Sequence, residues 1–276
     1  MEEMMRVDRL LVEKGLISSR QKARELVLLG GVKANGRIIK KVSEQFAFDT
    51  EFEIDQSQDP YVSRGGRKLE KAFEVFDLDA AGKTCLDAGA STGGFTHCLL
   101  QHGASRIYAV DVGSGQLAES LRDDVRVINM ENTNLRYLNP SAIEPCDFLC
   151  ADLSFISLTL LFEPLSAFLK ESAQCVFLVK PQFEAGKENI GKGGIVKDKR
   201  VHQKVLRRVF QSCLEAGFSV KGLSASPIKG SDGNQEYLLF AGYEGKKDQP
   251  DVTQKAQAAL PDSLENMIRQ CLQDQV

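Results

Sequence analysis

Four ionisable residues stand where the surrounding sequence is hydrophobic. Asp152 follows the apolar run Phe148 to Ala151 in Asp152-Leu-Ser-Phe155, and Lys180 follows Cys175 to Val179 in Val179-Lys-Pro-Gln182. Lys68 lies beside a helical stripe of Leu69, Ala72, Phe73 and Phe76, and Glu236 opens the last apolar run in Asn234-Gln-Glu-Tyr237. An unpaired ion in such a setting is costly, so each needs a partner, and two amines with two carboxylates balance. The chemistry open to such a set is transfer to a weakly acidic hydroxyl. A lysine whose protonation its neighbours control can take the proton or stabilise the forming oxyanion. The plain alternative is two structural ion pairs.

A second constellation is Leu86-Asp87-Ala-Gly89-Ala-Ser91-Thr-Gly93-Gly94-Phe95, which ends a strand and opens a helix. Glycines there let the backbone approach a ligand and leave helix-start amides free. The spacing is G-x-x-x-G-G, unlike the G-x-G-x-x-G of a dinucleotide site. Asp111, twenty-two residues after Gly89, ends the next strand, where a carboxylate can accept from both hydroxyls of a ribose. A second acid at Asp87 suits a positively charged ligand better than a passing pyrophosphate. The combination resembles the S-adenosylmethionine-dependent methyltransferase fold. That resemblance puts Asp87, Gly89, Ser91, Gly93, Gly94 and Phe95 around the methionine end of S-adenosylmethionine, Asp111 at its ribose, and Glu131 and Asn132 at its adenine.

The elements that must carry these residues alternate. Strands are expected at 84–88, 106–110, 125–129, 147–151 and 175–179, with helices after Gly94 and near 116–121, 158–169 and 201–216. Such alternation means a parallel sheet covered on both faces. Phe218 to Ala225 and Glu236 to Tyr243 have no helix-length segment between them and should pair antiparallel. The fold class is therefore α/β, a Rossmann-like sheet of seven strands of the methyltransferase type. Its fourth strand lacks the Asn/Asp-Pro-Pro-aromatic motif of enzymes acting on base amino groups. Cys150 sits in the strand interior with no partner base and reads as core.

Residues 6 to 41 differ from the rest, with ten basic residues against three acidic ones. Val7, Leu10 and Leu11 mark a short helix ending at Gly15; Ser18 with Gln21 caps a second, striped by Ala23, Leu26 and Val27, that stops at Gly30-Gly31. An Asn35-Gly36 hairpin and further strands to Ile54 follow. This small α+β module resembles the alpha-L RNA-binding motif through Arg6-Val-Asp-Arg-Leu10, Ser19-Arg20-x-x-Ala23 and Gly31-Val-x-x-Asn35-Gly36. Arg6, Arg9, Arg20, Lys22, Arg24, Lys33 and Arg37 are its candidate phosphate contacts, with Arg64 and Arg67 near Lys68 as further ones. The polar Asp55 to Pro60 reads as a linker. The expected domains are 1–59, 60–245, and a tail, 246–276, holding one helix capped by Asp262 and Glu265. Lys187, Lys192, Lys197, Lys199 and Arg200 make the Gly- and Lys-rich segment 184–199 either a flap over RNA or a solvated loop.

Composition bounds the remaining choices. With 276 residues, 42% hydrophobic and 26% charged, the chain is long enough for two domains and too apolar for general disorder. A net charge of −3 gives no global pull toward nucleic acid, so any such attraction is local. The seven cysteines lie in hydrophobic runs with no C-x-x-C pair, which points to a reducing cytoplasm. Residues 1–6 offer no signal-peptide core, and the greasiest stretch, 148–169, is broken by Asp152, Glu163 and Pro164, so no membrane span is expected. His97, His102 and His202 are dispersed, and no metal-ligand cluster is expected.

Over residues 6 to about 244 the chain resembles the TlyA, or hemolysin A, family of RNA methyltransferases. The carriers are Ser63-Arg-Gly-Gly-Arg-Lys68, Asp87 to Gly94, Asp152-Leu-Ser-Phe-Ile-Ser157, Val179-Lys-Pro-Gln-Phe183, Gly193-Gly-Ile-Val-Lys-Asp198 and Asn234-Gln-Glu236. The resemblance implies an FtsJ-like domain that 2′-O-methylates cytidine in ribosomal RNA or ribosomal subunits, with Lys68, Asp152, Lys180 and Glu236 as its catalytic set. The competing readings are a small-molecule O-methyltransferase, a membrane-active hemolysin and a non-catalytic ribosome assembly factor.

Overall fold

A computed structural model describes residues 4–17, 19–28, 30–55, 60–191, 193–230, 232–245 and 260–274, without the side chains of Gln21, Lys22 and Glu25. The chain divides into two compact units, 1–64 and 65–276.

In the first unit a short strand β1 (Met5–Arg6) leads into α1 (Val7–Glu13) and then α2 (Arg20–Leu28). Val7, Leu10 and Leu11 are fully buried on one face of α1, and Ala23, Leu26 and Val27 are buried on α2. Gly15 (φ 68°) and Gly30 (φ 76°) end the two helical segments in the left-handed region. The expected cap Ser18 lies outside the described residues. Strands β2 (Val32–Ala34) and β3 (Arg37–Ile38) form a hairpin through Asn35 (φ 49°) and Gly36 (φ 74°), the double left-handed turn that Asn-Gly favours. β4 (Gln45–Phe46) pairs with β1, and β5 (Phe52–Ile54) pairs with β2.

The second unit opens with α3 (Gly65–Val75), β6 (Thr84–Ala88), α4 (Gly94–Gln101), β7 (Arg106–Val110), α5 (Glu119–Arg122) and β8 (Val127–Met130). It continues through β9 (Cys146–Ala151), α6 (Phe162–Ser166), β10 (Leu169–Val179), α7 (Pro181–Glu184) and α8 (Lys199–Glu215) to β11 (Phe218–Ala225), β12 (Tyr237–Tyr243) and α9 (Asp262–Gln273). The strands form one seven-stranded sheet in the order β8-β7-β6-β9-β10-β12-β11. Neighbours from β8 to β10 are parallel, and β12 runs antiparallel to both β10 and β11. Strand order reverses between β6 and β9, which opens a crevice at their carboxyl ends, the place for a ligand in such sheets. Nearly every residue of β6, β9 and β12 is buried, and β12 reads as a continuous apolar run, while β6 and β9 each carry one acid, Asp87 and Asp147.

Three expectations are corrected by local chemistry. The helix expected over 158–169 is instead a 3-10 turn, Leu158–Leu160, and the five residues of α6. The Ser157 hydroxyl accepts from Thr159 N to start that turn, and Pro164 brings no amide to extend a longer helix. β10 begins at Leu169, six residues before the apolar run, with a register irregularity and a left-handed Ser172 (φ 68°) between Leu169 and Gln174. In α9 the cap position falls on Pro261, and Glu265 turns away from the helix start to form a two-pronged ion pair with Arg207 of α8, at 2.6 and 2.8 Å. Leu264, Ile268, Cys271 and Leu272 bury that helix in the main core.

Candidate active site

Lys68, Asp152, Lys180 and Glu236 come together from four elements. Lys68 Nζ donates to Glu236 Oε2 at 2.7 Å and to Asp152 Oδ2 at 3.3 Å, and Lys180 Nζ stands 2.6 Å from Asp152 Oδ1. Asp152 follows β9, Lys180 follows β10 just before Pro181 starts α7, and Glu236 precedes β12, so sheet order alone puts three of them side by side. Burial would pull the Lys68 ammonium down, but the Asp152 and Glu236 carboxylates outweigh it and raise its pKa above the ordinary value. Burial also works against the charge on Asp152, yet Lys68 and Lys180 hold its carboxyl at about 2. The cluster thus carries a fixed pattern of charge. Lys68 is committed to two carboxylates, whereas Lys180 shares one and donates to Ser154 Oγ at 2.8 Å. Asp152 keeps 20% of its side chain exposed against 3% for Glu236, so the set opens at its Asp152 edge.

The glycine turn between β6 and α4 is a close-fitting cradle. A Cβ on Gly89 (φ 87°) would sit 2.7 Å from the Asp152 carbonyl oxygen, and one on Gly93 (φ 95°) would sit 2.2 Å from a Leu121 methyl. Asp87 is fully buried at the base of this turn and accepts from Thr96 Oγ1 at 2.6 Å, while its Oδ1 has no hydrogen-bond partner. Burial pushes this carboxyl up to about 7. A buried, unsatisfied carboxylate oxygen suits a cationic group, whereas the helix-start amides of α4 suit an anionic one, so the turn fits a ligand that carries both. Asp111 accepts from Ser91 N at 2.9 Å and Gly113 N at 2.7 Å, which fixes its plane and leaves each oxygen a second lone pair. Glu131 is drawn to a different duty. It accepts from Asn129 Nδ2 and from the amides of Gln116 and Leu117, which together hold it at about 2, and so anchors the loop after β7. Asn132 (φ 56°) donates to Ser114 Oγ at 3.3 Å, Gly94 opens α4, and Phe95 is buried in it.

Sequence reasoning missed the residues that position this edge. Phe155, at φ 65° and 90% exposed, leans on Phe183 with ring centroids 5.1 Å apart. A bulky residue in the left-handed region is strained, and here the strain presents an aromatic face next to Asp152. Glu184 is buried and accepts from Ser157 Oγ at 2.6 Å and Leu158 N at 2.7 Å, with Arg208 against it, tying the Asp152 loop to the helix that follows Lys180. Asn234 is wholly buried, accepts from Val196 N and donates to Gly194 O, both at 2.9 Å. It fastens the Gly193-Gly194 segment to the strand that carries Glu236. His202 bridges Val196 O and the Tyr237 hydroxyl, and burial lowers its pKa. The signal for these contacts was the motif residues themselves, whose partners lie far along the chain.

Five of the candidate phosphate contacts in the first unit are paired with acids. Arg6 and Arg20 converge on the fully buried Asp8, at 3.0 and 2.8 Å. Arg9 pairs with Glu13, Lys33 with Glu53 and Arg37 with Glu44. Arg24 is exposed, Arg64 and Arg67 are half-buried, and Lys22 lies outside the described side chains, as does Lys192 of the 184–199 segment. In the second unit the three histidines lie apart, His97 against Gln101 and His202 between Val196 and Tyr237. His102 meets Glu70 and Cys98 with all three ligand atoms within 4.8 Å of one another.

A sheet of this order, with its glycine turn and its acid after the second parallel strand, defines a methyltransferase fold. An FtsJ-like methyltransferase family model matches residues 61–243, and an S4 domain model matches residues 5–51. The chain is 45% identical to the 16S/23S rRNA (cytidine-2′-O)-methyltransferase TlyA of Mycobacterium tuberculosis over 85% of its own length and 88% of that protein. It is 40% identical to Hemolysin A of Brachyspira hyodysenteriae, over 85% of this chain and 98% of that one. A solved hemolysin-named chain from Streptococcus thermophilus superposes with a TM-score of 0.74 at 42% identity, covering 99% of this chain and 98% of that one. The chain belongs to the FtsJ-like methyltransferase family, among its TlyA-type members with an N-terminal S4 domain.

Proposed function

We propose that the chain is an S-adenosylmethionine-dependent 2′-O-methyltransferase of ribosomal RNA, with a cytidine ribose as acceptor, working in the cytoplasm. The observation that carries this reading is the cluster of Lys68, Asp152, Lys180 and Glu236 at the switch-point edge, beside a glycine cradle whose buried carboxylate suits a cation. Asp87, Gly89, Ser91, Gly93 and Asp111 would hold the cofactor, which supplies an electrophilic methyl group on a sulfonium. Lys68, Asp152 and Glu236 form a rigid base. They aim the Lys180 amine at the incoming 2′-hydroxyl, where it takes the proton or meets the developing negative charge. With the cofactor held there, Lys180 would carry the proton of the 2′-hydroxyl to solvent as the methyl group is taken up by the oxygen. Phe155 offers a face on which the target base can stack, a contact worth about 1–3 kcal/mol in single-strand recognition. Arg6 and Arg20, gathered by Asp8, offer a two-pronged phosphate contact in the first unit.

The test is transfer of a tritiated methyl group to isolated large and small ribosomal subunits, followed by mapping of the modified nucleotide. Lys180→Ala should lower turnover by about 10²–10⁴-fold while leaving RNA affinity within several-fold. Unchanged turnover would reject the role given to Lys180, and transfer to a small molecule in preference to RNA would reject the substrate. Relatives named as hemolysins raise a membrane role. No helix among the described residues is long and apolar enough to cross a membrane. Leakage of liposomes by the pure protein would overturn the proposal.

A further inference from the structure

Behind the helix that carries Lys68 lies a cluster that the methyl-transfer reading does not use. His102 Nε2 and Glu70 Oε2 are 2.8 Å apart, and the Cys98 thiol donates to the same Glu70 oxygen at 3.6 Å. Cys98 and His102 are four residues apart at the end of α4, and Glu70 reaches them from α3. The His102 ring is stacked on Phe73, with centroids 3.7 Å apart and planes 6° from parallel, so its orientation is fixed by packing.

We propose that Glu70, Cys98 and His102 form a binding site for one divalent zinc ion that clamps α3 to α4. Thiolate, imidazole and carboxylate together select zinc over the hard cations magnesium and calcium. With zinc–ligand bonds of about 2.0–2.3 Å, donors in a tetrahedral site stand roughly 3.3–3.7 Å apart. The three atoms, already within 4.8 Å of each other, need shifts of about an ångström or less to reach that spacing. Glu70 and His102 keep 36% and 29% of their side chains exposed, which gives the ion a path in and leaves water as the fourth ligand. Binding sends the Cys98 proton to solvent and holds neutral His102 as the tautomer protonated at Nδ1, freeing Nε2 to ligate. Because Glu70 lies two residues beyond Lys68 on α3, the ion would hold that helix against the one that follows the glycine turn.

The full-length protein, stripped with a chelator, would be titrated with Co²⁺ and then Zn²⁺. One Co²⁺ per chain is expected, with the visible bands of a tetrahedral site and a thiolate charge-transfer band that Zn²⁺ abolishes. Cys98→Ser should remove the charge-transfer band. His102→Gln and Glu70→Gln should each weaken binding by ~100-fold, and His97→Gln, one position before Cys98, should leave it unchanged. Zinc should raise the melting temperature of the wild type and leave that of His102→Gln where it was. A full-length protein that binds no Co²⁺ or Zn²⁺ beyond the His102→Gln level, or a charge-transfer band that survives Cys98→Ser, overturns the site. His102 is partly exposed, so its variant decides the matter even if Cys98→Ser does not fold. The readouts need no RNA, so they stand or fall separately from the methyl-transfer proposal.

Discussion

Both units of the chain pair cations with carboxylates, and they do so in opposite environments. In the first, Arg6 and Arg20 remain 47% and 59% exposed around a buried Asp8; in the second, Lys68 and Lys180 are only 7% and 9% exposed. Exposed pairs contribute little to stability and exchange partners easily, which suits a surface that must release an acid to grip a phosphate. Buried pairs cannot exchange. They set protonation states, and the loss of one member strands the other in a medium that penalises its charge.

Lys68→Met should break the contrast most sharply. It strands the buried Glu236 carboxylate and leaves Asp152 with Lys180 alone, and is expected to cost about 3–5 kcal/mol in a denaturant melt. A Lys68→Met/Glu236→Leu double variant should regain part of that stability while remaining inactive, whereas recovery of methyl transfer would show the set to be structural only. The two acids of the second unit should also respond to pH with opposite signs. Asp152, depressed to about 2, adds stability that is complete above the unfolded carboxyl value and is lost as pH falls toward 2. Asp87, raised to about 7, keeps its proton in the folded state after the unfolded chain has released it, so its contribution falls as pH rises from the unfolded value to about 7. Asp87→Asn should flatten the second slope, by up to a few kcal/mol between pH 4 and 8, and Asp152→Asn the first. A melt series with neither slope altered would show that these carboxyls titrate normally.

Glu184→Gln sharpens the comparison at a smaller scale. Loss of the charge that holds Ser157, Leu158 and Arg208 should cost about 1–3 kcal/mol. It should lower kcat more than it raises KM, because the Asp152 and Lys180 loops lose their common anchor; equal stability and an intact kcat would remove Glu184 from that duty. Arg20→Ala should be the mildest. Stability should fall by about 1 kcal/mol or less, because Arg6 still pairs with the buried Asp8, while the slope of log affinity for ribosomal RNA against log salt shrinks by about one unit. An unchanged salt slope would take Arg20 off the phosphate path.

Much of the sheet was legible because buried parallel strands carry apolar runs bounded by polar residues, as at 148–151 and 175–179. The start of β10 was not, since Lys170, Glu171 and Ser172 are exposed and pair without an apolar signature. Glu265 was misread as a cap because its true partner, Arg207, lies fifty-eight residues away. The tetrad was visible as charges stranded in hydrophobic sequence, a local signal of a non-local arrangement. The duty of Glu184 was invisible for the converse reason. A lone acid in a polar loop looks solvated until the fold delivers Ser157 and Arg208 to it. Cys98 and His102 sit at helical spacing, but Glu70 arrives from another helix, and no reading of one segment joins the three.

The last strand to be synthesised in the sheet, β12, is threaded between β10 and β11, and the acid just before it closes an ion pair with a lysine 168 residues earlier. No truncated product that stops short of that strand can contain the finished centre. Competence of that centre therefore waits on the final insertion that completes the sheet.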